Sequence, residues 1–316
     1  MKMGLYKIKP VFKEMIWGGS RLNEKFGFDT PSKTTGEAWV VSAHPDGDGI
    51  LLNGEFEGQR LSDVYREHRG LFGKGENTKF PLMVKIIDAN QDLSVQVHPD
   101  DEYGRKFENS YGKTEAWYVL DCEEDTRMII GHTASETQEL LNAIQTGTLE
   151  KYLNSFKINP GDFYYIPART IHAICAGSLV YEVQQNSNVT YRVYDYNRKD
   201  AQGKNRDLHI RQALEVTQVP HRSVAPRPLT VTSQGMSVTT YLDEDYFALS
   251  KVVVQGSGSY LLRGEFSLIG VLEGEAKING VQFKLGDHAI TTHDEKTLEI
   301  VGDCVVMVSI PREVLL

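Results

Sequence analysis

The stretch LSVQVHPDD, residues 93–101, places an amide, an imidazole and two carboxylates within a few residues of one another. Alternate residues of a β-strand point to the same face, so Gln96 and His98 are expected to project together, about 7 Å apart. Asp100 and Asp101 follow Pro99 and are expected to form a turn. Two metal-binding groups would then share one wall of a cavity.

Two downstream strands supply the further ligands that a metal site needs. Glu115 lies in GKTEAWYVL, residues 112–120, and His172 in GDFYYIPARTIHAI, residues 161–174. Both stretches are rich in aromatic and β-branched residues and are bounded by glycine or proline, as strands are. Gln96, His98, Glu115 and His172 form a nitrogen and oxygen set that suits zinc, with iron or manganese as alternatives. A single histidine near a strand is more often an ordinary polar residue, so the prediction depends on all four.

The bulk properties exclude several classes of protein. The chain has 316 residues, 40% of them hydrophobic and 24% charged, which is typical of a soluble globular protein of about two domains. A net charge of −9 argues against nucleic acid or an anionic membrane as the main partner. The three cysteines fit neither a disulfide framework nor a thiolate zinc site. No signal peptide or membrane span is indicated, so we expect a cytoplasmic protein, with a monomer as the default.

Helical spacing of apolar residues occurs in three regions, which are residues 61–72, residues 135–156 and Ile210–Glu215. Ser135 is expected to cap the second region, and residues 149–156 to form a further helix after a break. Most of the remaining chain consists of short apolar stretches separated by glycine or proline. The pattern predicts a mainly β protein with a few helices.

Three charged residues interrupt apolar strands: Lys85 in VKII, Glu182 in LVYEVQQ and Arg192 in TYRVYD. Charges are rarely buried unpaired, so each either faces solvent or lines a polar site. For Lys85 the outward orientation is the favoured interpretation. Lys113 precedes Glu115 by two residues and shares its face on a regular strand, which places an ammonium group beside the proposed ligands.

The C-terminal part is interpreted as a second β domain. We predict a metal-binding domain over residues 1–228, with a helical insertion at about 133–156 and a linker near 199–228, followed by a domain over residues 229–316. His288 and His293 have no carboxylate in matching strand register. This second domain is therefore expected to bind no metal.

Two parts of the chain resemble cupins, small jelly-roll β-barrels whose inner strands hold a metal. The run from Gln96 to Glu115, followed by Gly161, Pro167 and His172, resembles their two-part signature. The run GVLEGEAKINGVQFKLGDHAI, residues 270–290, resembles a second, degenerate cupin without the ligands. The resemblance implies two jelly-roll domains and a small helical segment.

Four motifs in order resemble those of the type I mannose-6-phosphate isomerases in their short bacterial form. They are VQVHPDDEYG (95–104), GKTEAWYVL (112–120), IPARTIHAI (166–174) and VTYRVYD (189–195). The resemblance implies one zinc ion held by Gln96, His98, Glu115 and His172, a catalytic role for Arg192, and positions around a sugar phosphate for Lys85, Ser94, Lys113 and Glu182. Longer family members carry a larger helical insertion, so contacts made by that insertion do not carry over.

The implied reaction interconverts mannose 6-phosphate and fructose 6-phosphate through a cis-enediol, and a dication would stabilise charge on the substrate oxygens. Glu182 is the preferred proton carrier, since burial in an apolar strand raises a carboxyl pKa, and Lys113 is the alternative. Arg192 stays protonated, so it suits electrostatic stabilisation, a role that Lys113 would share. Lys85 and Ser94 flank the Gln96 strand and are expected to bind the phosphate.

Two other classes of function share part of this pattern. An iron-dependent cupin dioxygenase uses two histidines and one carboxylate, and a sugar-binding cupin without catalysis needs only a polar cavity. Gln96 as a fourth ligand favours the isomerase, because an oxygenase needs open positions for O₂. The cations Lys85, Lys113 and Arg192 favour it as well, because a simple binder has no enediolate charge to stabilise.

Overall fold

The computed structural model describes residues 4–74, 79–199 and 203–312. Within these ranges the chain is mainly β with a few helices, which confirms the predicted fold class. In chain order the strands are β1 (Leu5–Lys9), β2 (Val11–Gly19), β3 (Thr35–Val41), β4 (Ala43–His44), β5 (Gly47–Asp48), β6 (Ile50–Leu51), β7 (Leu82–Ala89), β8 (Val95–Val97), β9 (Glu115–Cys122), β10 (Arg127–His132), β11 (Leu153–Lys157), β12 (Phe163–Ile166), β13 (His172–Ile174), β14 (Ser178–Gln185), β15 (Tyr191–Tyr194), β16 (Leu229–Ser233), β17 (Met236–Asp243), β18 (Phe247–Val254), β19 (Ser257–Leu261), β20 (Leu268–Ile278), β21 (Val281–Lys284), β22 (His288–Thr291), β23 (Thr297–Val301) and β24 (Cys304–Pro311).

The helices of the described ranges are short. They are α1 (Arg21–Phe26), α2 (Leu61–Glu67), α3 (Asp101–Tyr103), α4 (Thr137–Gln145) and α5 (Ile210–Val216), with single turns at Gly54–Phe56, Arg69–Leu71, Gly104–Glu108 and Leu149–Tyr152. None of them is long and apolar enough to cross a bilayer. The three cysteines are free thiols.

The predicted helices near residues 61 and 210 are present, and two details of the region between them differ from the prediction. Helix α4 begins at Thr137, and Ser135 instead donates from its backbone N and its Oγ to Glu139. The prediction of a further helix over residues 149–156 is wrong. Only one turn forms there, because the chain then becomes β11 and pairs antiparallel with β10, with Met128 opposite Phe156. Strand pairing outweighs the local helical preference.

Two sheets form the barrel of the first part of the chain. One has the order β12-β9-β14-β7-β2-β3 and the other β11-β10-β13-β8-β15. Trp117 and Ile87 of the first sheet share an apolar cluster with Met128 and Ile174 of the second. This packing of two sheets face to face gives the jelly-roll architecture.

The C-terminal strands form a third sheet, whose main path is β16-β17-β18-β24-β20-β22-β1-β6. The first strand of the chain belongs to it, since Ile8 of β1 lies opposite His288 of β22. A separate apolar cluster joins this sheet to the first barrel and includes Tyr181 of β14 and Met307 of β24. The two parts therefore share a continuous core.

Two rows of side chains in register give the first barrel its polar interior. Across β3, β7, β14 and β9, opposing residues are Trp39, Lys85, Glu182 and Trp117. On the other sheet, across β15, β8 and β13, they are Arg192, Gln96 and His172. Side chains of both rows line one cavity of about 340 Å³.

Candidate active site

The structure brings the four predicted ligands together. The ligating atoms of His98, Glu115 and His172 lie within 4.8 Å of one another, and all three residues are buried. The Nε2 atoms of His98 and His172 lie 3.5 and 3.1 Å from the Glu115 carboxylate. The amide nitrogen of Gln96 lies 3.4 Å from His172 Nε2. Rotation of the terminal amide by 180° exchanges its nitrogen and oxygen and presents the oxygen at this position.

Backbone carbonyls fix both imidazoles in the form that binds a metal. His98 Nδ1 donates to Val189 O and His172 Nδ1 donates to Thr170 O, each at 2.8 Å. Each Nε2 lone pair is therefore left for a ligand on the Glu115 side. Burial and the nearby Lys113 ammonium lower the pKa of both imidazoles, that of His172 to about 3. Both rings are neutral at physiological pH.

Glu115 shows that a cation fits between these groups. Its side chain is fully buried, and neither carboxylate oxygen has a hydrogen bond of normal geometry within the described residues. Lys113 Nζ lies 2.8 Å from Glu115 Oε2 and 3.0 Å from His98 Nε2, so this position already accepts one positive charge. Burial nevertheless raises the pKa of Glu115 against the effect of Lys113. A buried carboxylate without a hydrogen bond of normal geometry, beside the Nε2 atoms of two neutral imidazoles, is a donor set that fits zinc.

Lys85 points into the barrel, which agrees with the position that the family resemblance implies and contradicts the outward orientation favoured by the residue pattern alone. Its side chain is 5% exposed, and Nζ lies 3.3 Å from Glu182 Oε1 and 3.6 Å from Glu37 Oε2. Strand β7 is buried along its whole length, which leaves no solvent-facing side for the lysine. Two carboxylates from neighbouring strands compensate the buried ammonium.

Glu182 is held as a carboxylate. Its Oε2 accepts a hydrogen bond of 2.9 Å from Trp117 Nε1. Burial alone would raise its pKa, as the sequence suggested, but Lys85 and Lys113 outweigh burial and the pKa is lowered. The expectation of a raised pKa is therefore wrong, because Lys85 and Lys113 approach Glu182 only in the folded barrel and are not evident from the apolar sequence around it.

Arg192 marks the other end of the cavity. Its Nε donates to Ser94 Oγ at 3.3 Å and its Nη1 donates to the carbonyl of Asp207 at 2.9 Å. A larger cavity of about 870 Å³ adjoins this one and shares Asn188 and Thr190 with it. None of the proposed ligands lines the larger cavity, whereas Gln96 lines the smaller one together with Lys113 and Glu182.

Asn188, Thr190 and Arg206 are polar residues of the cavity wall that the sequence did not single out. Asn188 and Thr190 alternate with Arg192, and this period of two was a signal that could have identified them. Arg206 lies in an irregular loop without any such signal. Asp100 and Asp101 serve the turn, as predicted, since they accept backbone hydrogen bonds from downstream residues.

Comparisons with known proteins agree with this geometry. The family model described as phosphomannose isomerase type I, catalytic domain, matches residues 5–138. The model described as mannose-6-phosphate isomerase, cupin domain, matches residues 237–311. The first match contains Gln96, His98 and Glu115, while His172 and Arg192 lie beyond it.

Relatives of nearly full length extend the similarity to those positions. Mannose-6-phosphate isomerase ManA of Bacillus subtilis is 45% identical over 307 residues, covering 94% of this chain and 96% of that protein. The mannose-6-phosphate isomerase of Streptococcus mutans is 40% identical over 302 residues, covering 94% and 95%. The crystal structure of mannose 6-phosphate isomerase from Bacillus subtilis superposes with a TM-score of 0.94 at 40% identity, covering 97% of this chain and 99% of that one. The chain thus belongs to the type I phosphomannose isomerases, a family of mannose-6-phosphate isomerases.

Proposed function

We propose that the chain is a zinc-dependent aldose–ketose isomerase that interconverts mannose 6-phosphate and fructose 6-phosphate through a cis-enediol. The convergence of His98, Glu115 and His172 carries this proposal, because the group lies beside a cavity that Gln96, Lys113 and Glu182 line. Gln96, His98, Glu115 and His172 would hold the zinc ion. Bound there, zinc would supply a Lewis acid for the negative charge that develops on the substrate oxygens.

Glu182 is proposed as the proton carrier. Its carboxylate would take the proton from C2 of the open-chain aldose while the C–H electron pair forms the C1=C2 bond and O1 gains a proton. Return of the proton to C1, with loss of the O2 proton, gives the ketose. The lowered pKa of Glu182 supports this role, because a base must be unprotonated at working pH.

The cations are proposed to stabilise charge and to bind substrate. Lys113, whose Nζ lies 2.8 Å from Glu115, is proposed to stabilise the charge that develops on the sugar oxygens. Arg192 lies opposite Gln96 across β15 and β8 and keeps its charge, so it suits a fixed electrostatic role. Ser94 and Lys85 complete the proposed substrate contacts from two sides of the cavity.

The full-length similarity to isomerases favours this function over a dioxygenase or a sugar-binding protein without catalysis. The test is to incubate the zinc-loaded protein anaerobically with mannose 6-phosphate in D₂O and to follow fructose 6-phosphate by NMR. We expect product that carries solvent deuterium at C1, and loss of turnover after chelation. Absence of product with any hexose phosphate would contradict the proposal, and oxygen consumption by the iron-loaded protein in an aerobic control would support a dioxygenase instead.

A further inference from the structure

Arg206 is a wall residue of the site cavity that no part of the proposed mechanism uses. It lies in the irregular loop that precedes α5, and its side chain lines the same cavity as Arg192, Ser94 and Gln96. About a quarter of that side chain is exposed, so the guanidinium is accessible without being free in solvent. A cation in this place needs either a structural or a ligand-binding explanation.

Asp195 holds one edge of the Arg206 guanidinium. Arg206 Nε donates to Asp195 Oδ2 at 2.7 Å, and Arg206 Nη2 donates to Asp195 Oδ1. Asp195 is buried and also accepts from Arg198. The remaining nitrogen, Arg206 Nη1, makes no hydrogen bond within the part of the chain that the structure describes. The orientation of the side chain is therefore fixed, while the N–H groups of Nη1 stay available to a ligand.

The four cations that line the cavity differ in their partners. Two of them, Lys85 and Lys113, lie beside buried carboxylates of the barrel. The other two are Arg192 and Arg206, and Asp195, the carboxylate that holds Arg206, is not among the lining residues. On a chain whose net charge is −9, these two guanidinium groups supply the local positive charge that a phosphate dianion requires.

Two guanidinium groups that face one cavity repel each other unless an anion lies between them. Burial and then the Arg206 charge lower the pKa of Arg192. Guanidinium presents paired donors that match phosphate oxygens, and the interaction is strengthened where water is partly excluded. Lys85 is a poorer candidate for this anion, because two carboxylates, Glu37 and Glu182, lie beside it. Arg206 has one carboxylate, Asp195, which it shares with Arg198.

We propose that Arg206, held in place by Asp195, binds the phosphate group of the hexose phosphate. This rests on the proposed function for the identity of the substrate. Arg192 lies opposite Gln96, and both line the same cavity as Arg206, Lys113 and Glu182. Phosphate at Arg206 therefore directs the sugar chain past Arg192 towards Lys113 and Glu182, and Arg206 becomes the residue that selects phosphorylated over unphosphorylated hexoses.

Steady-state kinetics of the zinc-loaded Arg206→Met variant test this assignment. Loss of a hydrogen bond to a charged group predicts that KM for mannose 6-phosphate rises roughly 10- to 100-fold. Because the phosphate is remote from C1 and C2, kcat is expected to change by less than about 3-fold. Inhibition by inorganic phosphate should weaken by the same factor as KM. Unchanged KM and unchanged phosphate inhibition would overturn the proposal.

Arg198→Met is the matched control, since Arg198 shares Asp195 but donates to the carbonyl of Asp92 and does not line the cavity. Its KM should stay within about 3-fold of the unmodified protein. An equal rise in both variants would overturn the assignment, because it would reflect a loosened Asp195. Arg206→Lys retains the charge and keeps the test available if the methionine variant is unstable. Its KM should lie between those of the unmodified and methionine proteins, and a KM equal to that of the unmodified protein would contradict recognition by the guanidinium.

Calorimetric titration with inorganic phosphate separates this inference from the proposed function. If the unmodified zinc-loaded protein converts no hexose phosphate, the isomerase proposal fails, yet phosphate affinity is still measurable. Affinity that is about 10-fold or more weaker in Arg206→Met than in Arg198→Met supports phosphate binding at Arg206. Equal affinity in the two variants overturns it, whatever the outcome of the activity assay.

Discussion

Lys85 and Glu182 lie directly opposite each other on β7 and β14, with Nζ 3.3 Å from Oε1 and both side chains almost completely buried. The pair is part of a row that begins and ends with tryptophan, Trp39 on one side and Trp117 on the other. Trp117 Nε1 donates to the second oxygen of Glu182, so the carboxylate is held from two directions. A buried base is thereby kept ionised and fixed.

Lys85→Met should move the acid limb of the kcat/KM profile to higher pH. Burial raises the pKa of Glu182, and Lys85 is the largest of the effects that reverse this and lower it. Activity that needs the carboxylate is lost as pH falls through the folded-state pKa, which in the unmodified protein lies below the ordinary value of 4.5. Without Lys85 the pKa of Glu182 is lowered less, so the limb moves upward. The pH profile of kcat/KM measures this.

The control for that profile is Lys251→Met. Lys251 is also partly buried and donates to the hydroxyl of Tyr118, but it lies on β18 outside the cavity. Its acid limb should coincide with that of the unmodified protein. If the Lys85 and Lys251 variants have the same acid limb, Lys85 does not control the essential carboxylate.

Glu182→Gln should lower kcat by about 10²- to 10⁴-fold, the range that a positioned general base contributes. Glutamine keeps the size of the side chain and still accepts from Trp117, so zinc content and fold are expected to be retained. Exchange of solvent deuterium into the product should fall in parallel with kcat. A variant that retains more than about a tenth of the activity would assign the proton transfer to another group, with Lys113 the next candidate.

His172→Ala and His288→Ala form a matched pair for the metal site. Both imidazoles are buried and both donate from Nδ1 to the carbonyl two residues earlier, at 2.8 and 2.9 Å. Only His172 lies beside a carboxylate of the site, since its Nε2 is 3.1 Å from Glu115. We expect His172→Ala to lose zinc, and with it activity and the increase in Tm that zinc confers.

His288→Ala should keep about one zinc per chain, as a single site predicts, although its Tm falls because a buried side chain is lost. Metal analysis after dialysis and thermal unfolding with and without zinc give both readouts. Equal zinc loss in the two variants would mean that the metal does not bind at His172.

The strand period and the sequence motifs were enough to place Gln96, His98, Glu115 and His172 in one group. These residues lie on or next to strands whose local pattern is clear, and Lys113 follows from the same period. The direction of Lys85 could not be predicted from the residue pattern alone, because Glu37 and Glu182 reach it only through the pairing of β3, β7 and β14. Pairing between distant strands also turned residues 153–157 into a strand. Arg206 belongs to a loop, where neither periodicity nor propensity indicates a direction.

Arg21→Met should lower the free energy of unfolding by roughly 3–5 kcal/mol, because it leaves a buried charge uncompensated. Asp88 is completely buried, and Arg21 Nε donates to its Oδ1 at 2.6 Å. The same guanidinium donates to the carbonyls of Gly177 and Ser178 and so ties α1 to β14. Urea denaturation measures the change.

Two further variants test that explanation. Arg66→Met removes an exposed arginine that pairs with Asp63 and Glu67, and it should change stability little. Combining Arg21→Met with Asp88→Asn should recover part of the lost stability, because the uncompensated charge is removed. A double variant less stable than Arg21→Met alone would contradict the electrostatic explanation.

Arg192→Ala should lower kcat by about 10²- to 10³-fold without loss of zinc, as expected when a preorganised charge is removed from a developing oxyanion. Arg192 contacts Ser94 and the carbonyl of Asp207 and has no recorded contact with Glu115 or either histidine of the group, so the donor set should persist. Arg192→Lys should recover little, because an ammonium cannot reproduce both of those contacts. Kinetics with parallel metal analysis measure the outcome. If zinc is lost together with activity, Arg192 supports the structure of the site instead of stabilising charge on the substrate.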